Sequence, residues 1–188
     1  MFFLIIFAFQ LAGAALGWLW GFVFGVSTER AIRQDVNFAM KLFGSNACSE
    51  FSSALKSPDL ETLMNAIEGL GLLEVKAQEA IVLLKELSDA PRKQIAHWAS
   101  FALAKIAPQD HPIQEVRVMW LSDLKEADRD TRVRALIGLA SLSTTKEEIK
   151  ESLTEPEYDS LIAHLGEFSG EGSYYNRQVR DAKKKLGF

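Results

Sequence analysis

Residues 128–142, DRDTRVRALIGLASL, contain the pattern that decides the fold. The aspartate that opens this stretch, Asp128, can cap a helix whose apolar side chains recur three and four positions apart. Comparable apolar stripes, separated by short turns, follow one another from Pro58 to the end of the chain. The alternation of apolar and polar residues that is typical of strands does not compete with them. The sequence therefore predicts an all-α domain.

The stripes after Pro58 come in pairs, each made of a helix, a tight turn and a second helix. A single helical hairpin cannot bury its apolar face, whereas stacked hairpins form a continuous core. Residues 59–73 are predicted to be the second helix of a degenerate first unit. The complete pairs are Ala77–Leu87 with Arg92–Ile106, Gln114–Ala127 with Asp130–Leu142, and Tyr158–Phe168 with Tyr174–Leu186.

The second helices of these pairs carry a motif that resembles the HEAT-repeat family. Asp128 is similar to the turn aspartate of these repeats, Val133–Arg134 to their Val-Arg pair, and Gly138–Leu142 to their closing pattern of small residues and leucine. In the last unit Val179–Ala182 repeats the motif, and Tyr174 takes the position of the aspartate.

The resemblance implies a short α–α superhelix, a HEAT-like solenoid, over residues 58–188. The unit at residues 75–107 departs from the motif, because Ile95–Ala96 stand where the Val-Arg pair is expected. Since solenoids of this kind present extended binding surfaces, the resemblance implies a scaffold for an unknown protein partner rather than an enzyme. Some short HEAT-like repeats also resemble those of bilin lyases, which leaves an enzyme subunit as an alternative.

The beginning of the chain, residues 1–26, contains no charged side chain. A helix of this length extends roughly 39 Å and can cross a hydrocarbon core of ~30 Å. We expect a single transmembrane helix at residues 1–26, a juxtamembrane amphipathic helix and linker at residues 27–57, and the repeat domain at residues 58–188. The first cations follow the span, at Arg30, Arg33 and Lys41, so the domain is expected on the cytoplasmic side.

Glycine recurs at every fourth position of this apolar run. Small residues at that spacing let a second membrane helix approach closely, and the amide of a polar residue on the same side can bond across such an interface. The run therefore predicts a homo-oligomer that packs through one face of the helix, at Gln10, Gly13, Gly17, Gly21 and Gly25.

A cleaved signal peptide is the alternative interpretation of the same run. Ala12 and Ala14 have the spacing of a cleavage site, although no basic residue precedes the apolar region. Cleavage would leave a secreted or periplasmic binding domain.

The remaining residues predict no catalytic, cofactor or metal site. His97, His111 and His164 lie far apart in sequence, and His97 is expected on a helix surface. A formal net charge of −4 and a single cysteine, Cys48, favour neither nucleic-acid binding nor an intrachain disulfide.

Arginine side chains are the candidates for partner binding. An anionic partner could dock on the cluster that follows the turn aspartate, although Asp128 and Asp130 are expected to pair with some of its members. Arginines of the last helix extend this candidate surface. The full set is Arg129, Arg132, Arg134, Arg177 and Arg180.

Overall fold

The computed structural model describes residues 28–126, 128–166 and 174–188. All its regular elements in these ranges are helical, which confirms the predicted all-α class. Two 3₁₀ helices occupy Gly44–Asn46 and Glu74–Ala80. The α-helices are α1 (Thr28–Gln34), α2 (Val36–Phe43), α3 (Ala47–Ala54), α4 (Leu60–Leu73), α5 (Ile81–Ser88), α6 (Lys93–Ile106), α7 (Ile113–Asp123), α8 (Arg129–Ser141), α9 (Lys146–Ser152), α10 (Glu155–Gly166) and α11 (Tyr174–Leu186).

The helices stack as successive hairpins. Helix α3 packs on α4, α5 on α6 and α7 on α8, while α10 and α11 both pack on α8. The second helices α4, α6, α8 and α11 also contact one another in that order. The chain therefore forms a helical repeat, as the pairing of the apolar stripes predicts.

The transmembrane helix predicted at residues 1–26 lies outside the described residues, and so does its packing face at Gln10, Gly13, Gly17, Gly21 and Gly25. In the ranges that the structure describes, no helix combines the length and the apolar character needed to cross a membrane.

Helices α1 to α3 belong to the same hydrophobic core as the repeats. Ile32, Val36 and Phe51 are fully buried, and the side-chain amide of Asn65 on α4 donates to the carbonyl of Ile32 at 3.0 Å. A juxtamembrane helix and linker were predicted for residues 27–57, which include Ile32, Val36 and Phe51. The structure extends the core to before residue 58, because their apolar side chains cover one side of α4.

The juxtamembrane amphipathic helix predicted within residues 27–57 is interrupted at Asp35. The Asp35 carboxylate accepts from the backbone N–H groups of Asn37 at 2.8 Å and Phe38 at 3.1 Å, and so starts α2 as its N-cap. Helix α2 ends at Gly44, whose φ of 54° is readily adopted by glycine.

Large aromatic side chains lie directly over glycines in two of the hairpins. A Cβ atom added to Gly69 of α4 would stand 2.6 Å from the ring of Phe51 on α3. One added to Gly138 of α8 would stand 2.5 Å from the ring of Trp120 on α7. The absence of a side chain at each glycine is what lets the two helices of the hairpin approach closely around the ring.

Candidate functional site

A cleft of about 300 Å³ lies between the second helices α4, α8 and α11 and the start of α2. Its lining is largely polar and carries charges of both signs, with Asp35, Glu68 and Asp181 set against Arg177 and Lys185. The cleft is therefore built by three of the second helices together with one of the first helices of the described chain.

Two polar contacts join the last helix, α11, to the start of α2 and to α4. A guanidinium nitrogen of Arg177 lies 2.9 Å from a carboxylate oxygen of Asp35, and the side-chain amide of Gln178 donates to the carboxylate of Glu68 at 2.6 Å. These contacts close one wall of the cleft. They also place Arg177, a predicted partner-binding residue, at the cleft surface.

Arg132, another predicted partner-binding residue, is buried inside the fold. Its side chain donates to the Ser160 hydroxyl and to the Glu157 carbonyl, both at 3.0 Å, and only 6% of the residue is exposed. Burial lowers the pKa of the Arg132 guanidinium. Arg132 joins α8 to α10, with its guanidinium held inside the fold.

Arg134 belongs to the contact between α8 and α11. Its Nε atom lies 2.8 Å from the Asp130 carboxylate, and its guanidinium lies over the Tyr175 ring at 4.8 Å from the centroid. The Tyr175 hydroxyl donates to the same carboxylate at 2.9 Å, and burial raises the pKa of this hydroxyl well above its usual range. The expected pairing of Asp130 with a neighbouring arginine is thus present.

The two remaining arginines of the predicted set, Arg129 and Arg180, have exposed side chains and do not line the cleft. Glu68 and Gln178 were not predicted as site residues. Both lie on the polar sides of their helices, and the pattern of apolar residues predicts that such side chains face solvent. Only the folding of α11 against α2 and α4 makes them neighbours.

His97 differs from its predicted position on a helix surface. Its Nδ1 atom lies 2.5 Å from a carboxylate oxygen of Asp123, and their side chains are 19% and 7% exposed. A buried carboxylate needs a hydrogen-bonding partner, and His97 provides one for Asp123. The pair thereby connects α6 with α7. In the described part of the chain, no group of three or more His, Cys, Asp or Glu residues is placed to hold a metal ion.

Cys48 on α3 is partly buried. Burial, together with a hydrogen bond to the nearby Glu79 carboxylate, raises the pKa of its thiol. Since the thiolate is the nucleophile, this environment slows its reaction with alkylating reagents at neutral pH.

No family model matches the chain, and neither does any curated protein. Among solved structures, the chain is similar to the designed armadillo repeat protein YIII(Dq.V1)4CPAF in complex with the peptide (KR)4, with 17% sequence identity, a TM-score of 0.37, and coverage of 85% of this chain and 72% of that chain. It is also similar to the designed armadillo repeat protein YIII(Dq)4CqI, with 15% identity, a TM-score of 0.35, and coverage of 85% and 90%. Similarity at this level leaves the function to be argued from the chain's own residues.

Proposed function

We propose that this chain is a membrane-tethered scaffold for protein–protein interaction, a HEAT-like solenoid held at the cytoplasmic membrane surface by residues 1–26. The cleft between α2, α4, α8 and α11 is its binding site for a segment of a partner polypeptide. The observation that carries the proposal is the composition of this cleft, in which side chains of both charges surround a space open to solvent.

A polypeptide segment suits the polar groups of the cleft. The side chains of Asn37 and Gln178 offer amide donors and acceptors, which can pair with the N–H and C=O groups of a peptide backbone. Leu72, which is 49% exposed, supplies an apolar contact at the same surface. Asp181 and Lys185 can pair with charged side chains of either sign.

Site-specific photo-crosslinking in cells that express the full chain tests this proposal. A photoreactive amino acid at Asp181 or Lys185 should give a discrete adduct with another polypeptide, and the same group at the exposed Glu86 of α5 should not. Ser141→Trp, which fills the cleft, should abolish the adduct. Equal adducts at all three positions, or an adduct that survives Ser141→Trp, would contradict a binding site in the cleft.

The membrane tether rests on the uncharged run at residues 1–26 and on the cations Arg30, Arg33 and Lys41 that follow it. The intact mass of protein extracted from membranes tests the tether against signal cleavage. A full-length mass in the membrane fraction supports it, whereas a shortened chain in the soluble fraction would favour the secreted or periplasmic alternative.

Self-association through Gly13, Gly17, Gly21 and Gly25 is a separate part of the proposal. Replacing Gly17 and Gly21 together by isoleucine should abolish oligomers in detergent, because the larger side chains keep two helices apart. The matched control is Ala15→Ile with Leu19→Ile on the opposite side of the helix, which should leave the oligomers intact. Oligomers of unchanged stability in the glycine variant would reject this packing face.

A further inference from the structure

We infer that the exposed side of α2 lies on the lipid bilayer, with Phe38 and Leu42 inserted among the phospholipid headgroups. This inference rests on the proposed membrane tether and adds a second, peripheral contact with the same bilayer. The two contacts together would fix the orientation of the repeat domain relative to the membrane surface.

Helix α2 exposes large apolar side chains on the side away from the core. Phe38 is 47% exposed and Leu42 is 54% exposed, and residues four positions apart lie on the same side of a helix. On its other side, Val36 and Ala39 are fully buried against the rest of the domain. The exposed pair therefore lies on the side of α2 that faces away from the core of the described helices.

The position of α2 in the chain brings it close to the proposed anchor. Helix α1 begins at Thr28, almost directly after residues 1–26. Because α1 has 7 residues, it extends only about 10 Å. Asp35 then joins α1 to α2 without an intervening loop. If residues 1–26 span a bilayer, α2 must begin within a short distance of its surface.

The charges of α2 agree with a phospholipid surface. The helix contains no acidic residue, and its one cation, Lys41, is exposed next to Leu42. A lysine in this position can lay its methylene chain along apolar groups while its ammonium meets the phosphates. The Asp35 carboxylate at the start of the helix faces Arg177.

Exposed aliphatic side chains elsewhere provide matched controls. Val82 on α5 and Val118 on α7 are each 67% exposed and belong to helices farther along the chain. Single exposed apolar residues of this kind are ordinary on protein surfaces. Neither should contact lipid if α2 is the side that rests on the bilayer.

Depth-dependent fluorescence quenching tests the inference on the full chain. The protein carries Cys48→Ser and one new cysteine, Phe38→Cys, Leu42→Cys, Val82→Cys or Val118→Cys, labelled with the environment-sensitive dye NBD. Each variant is reconstituted into vesicles of phosphatidylcholine and phosphatidylglycerol, with or without phosphatidylcholine that carries a spin label near the headgroup. Circular dichroism verifies that every labelled variant keeps its helices.

We expect the label at Phe38→Cys and Leu42→Cys to emit at shorter wavelength in vesicles and to be quenched by the spin-labelled lipid. The labels at Val82→Cys and Val118→Cys should emit as in water and remain unquenched. Protein that floats with the vesicles while the α2 labels stay unquenched would overturn this inference and leave the tether standing. A blue-shifted but unquenched label would also overturn it, since a second copy or another segment would then cover α2. Protein that fails to float would overturn the tether and the inference together.

Discussion

The first hairpin, α3 with α4, and the third, α7 with α8, share one packing arrangement, in which an aromatic ring of the first helix lies over a glycine of the second. Phe51 lies over Gly69 in the first, and Trp120 lies over Gly138 in the third, at the same separation along the sequence. A bulky ring in one helix and a missing side chain in the other are complementary volumes, so each pair defines how closely its helices approach.

In the middle hairpin, α5 with α6, the two corresponding side chains differ less in size. Leu84 and Ala102 stand at the intervals that correspond to the aromatic residue and the glycine, and both are fully buried. A smaller side chain from the first helix thus accompanies a larger residue in the second. In these hairpins a large side chain of the first helix therefore accompanies glycine in the second, and a medium-sized one accompanies alanine.

The N-caps of the second helices also distinguish the first and third hairpins from the middle one. Asp59 accepts from the N–H and hydroxyl groups of Thr62, and Asp128 accepts in the same way from Thr131. In the middle hairpin Arg92 occupies the N-cap position of α6 and makes no side-chain cap bond.

The largest effect should come from removing a ring. Trp120→Ala leaves a cavity beside Gly138 that cannot close without moving a helix, so we expect the free energy of unfolding to fall by about 3–5 kcal/mol. Chemical denaturation of the full chain in detergent measures it. Val118→Ala on the same helix removes an exposed side chain and should change it by less than about 0.5 kcal/mol. Similar losses for both variants would contradict the packing account.

A methyl group at the glycine should have the next largest effect. In Gly138→Ala the new Cβ would collide with the Trp120 ring, at an expected cost of about 1–3 kcal/mol that outweighs the gain in helix propensity. A Cβ atom added to Gly166 at the end of α10 meets no atom of the described residues within 4 Å, so Gly166→Ala should be neutral or slightly stabilising.

The double variant Trp120→Leu with Gly138→Ala gives the third hairpin the residue pair of the middle one. Its loss of stability should be smaller than the sum of the two single losses by about 0.5–3 kcal/mol, because leucine vacates the space that the new methyl group needs. Additive losses would refute the idea that the two positions share one volume.

The caps should contribute less than the rings. Asp59→Ala and Asp128→Ala should each lower the free energy of unfolding by about 1 kcal/mol. Hydrogen bonds from the threonine hydroxyl and backbone lower the pKa of both carboxyls. Their stabilisation is therefore present above the unfolded pKa of about 3.9 and is lost as the pH falls through the lower folded pKa.

A denaturation series between neutral and acidic pH measures this dependence, and the alanine variants should show less of it than the wild type. Arg92→Asp in the middle hairpin supplies the missing cap and should stabilise the protein. A pH dependence unchanged by both alanine variants would exclude the caps as its cause.

The smallest effect should come from the contact that closes the cleft. Arg177→Gln removes the ion pair with Asp35, in which the Arg177 side chain is 47% exposed, and pairs that water can reach contribute about 0–1 kcal/mol. Thermal unfolding should change little, and the change should diminish further in high salt. A loss as large as that of Trp120→Ala would mean that α11 holds the stack together rather than lining its cleft.

The helical class and several caps could be predicted from sequence because they depend on local patterns. The stripes mark α4 to α8, and the Thr-x-x-Glu pattern of Thr145 and Glu148 forms a capping box at the start of α9. The pairing of the short helix α3 with α4 was not predicted, because residues 27–57 were interpreted as a juxtamembrane helix and linker. Its signal is nevertheless present, since Phe51 and Gly69 stand at the same interval as Trp120 and Gly138.

The cleft could not be predicted, because its walls come from opposite ends of the described chain. Asp35 and Arg177 meet only after the whole stack has formed. The burial of Arg132 depends on the placement of the Glu157 carbonyl by another helix, so no local pattern distinguishes it from the exposed Arg129.

Labelling of Cys48, the only cysteine of the chain, tests most directly whether an apolar leader holds a repeat domain at the cytoplasmic face of a membrane. Intact, lysed and denatured cells are treated with a membrane-impermeant maleimide, and the protein is sized on the same gel. The denatured sample sets full labelling, because the folded thiol is partly buried. We predict a full-length protein that is labelled only after lysis. Labelling in intact cells, or a product shortened by the leader, would contradict the account.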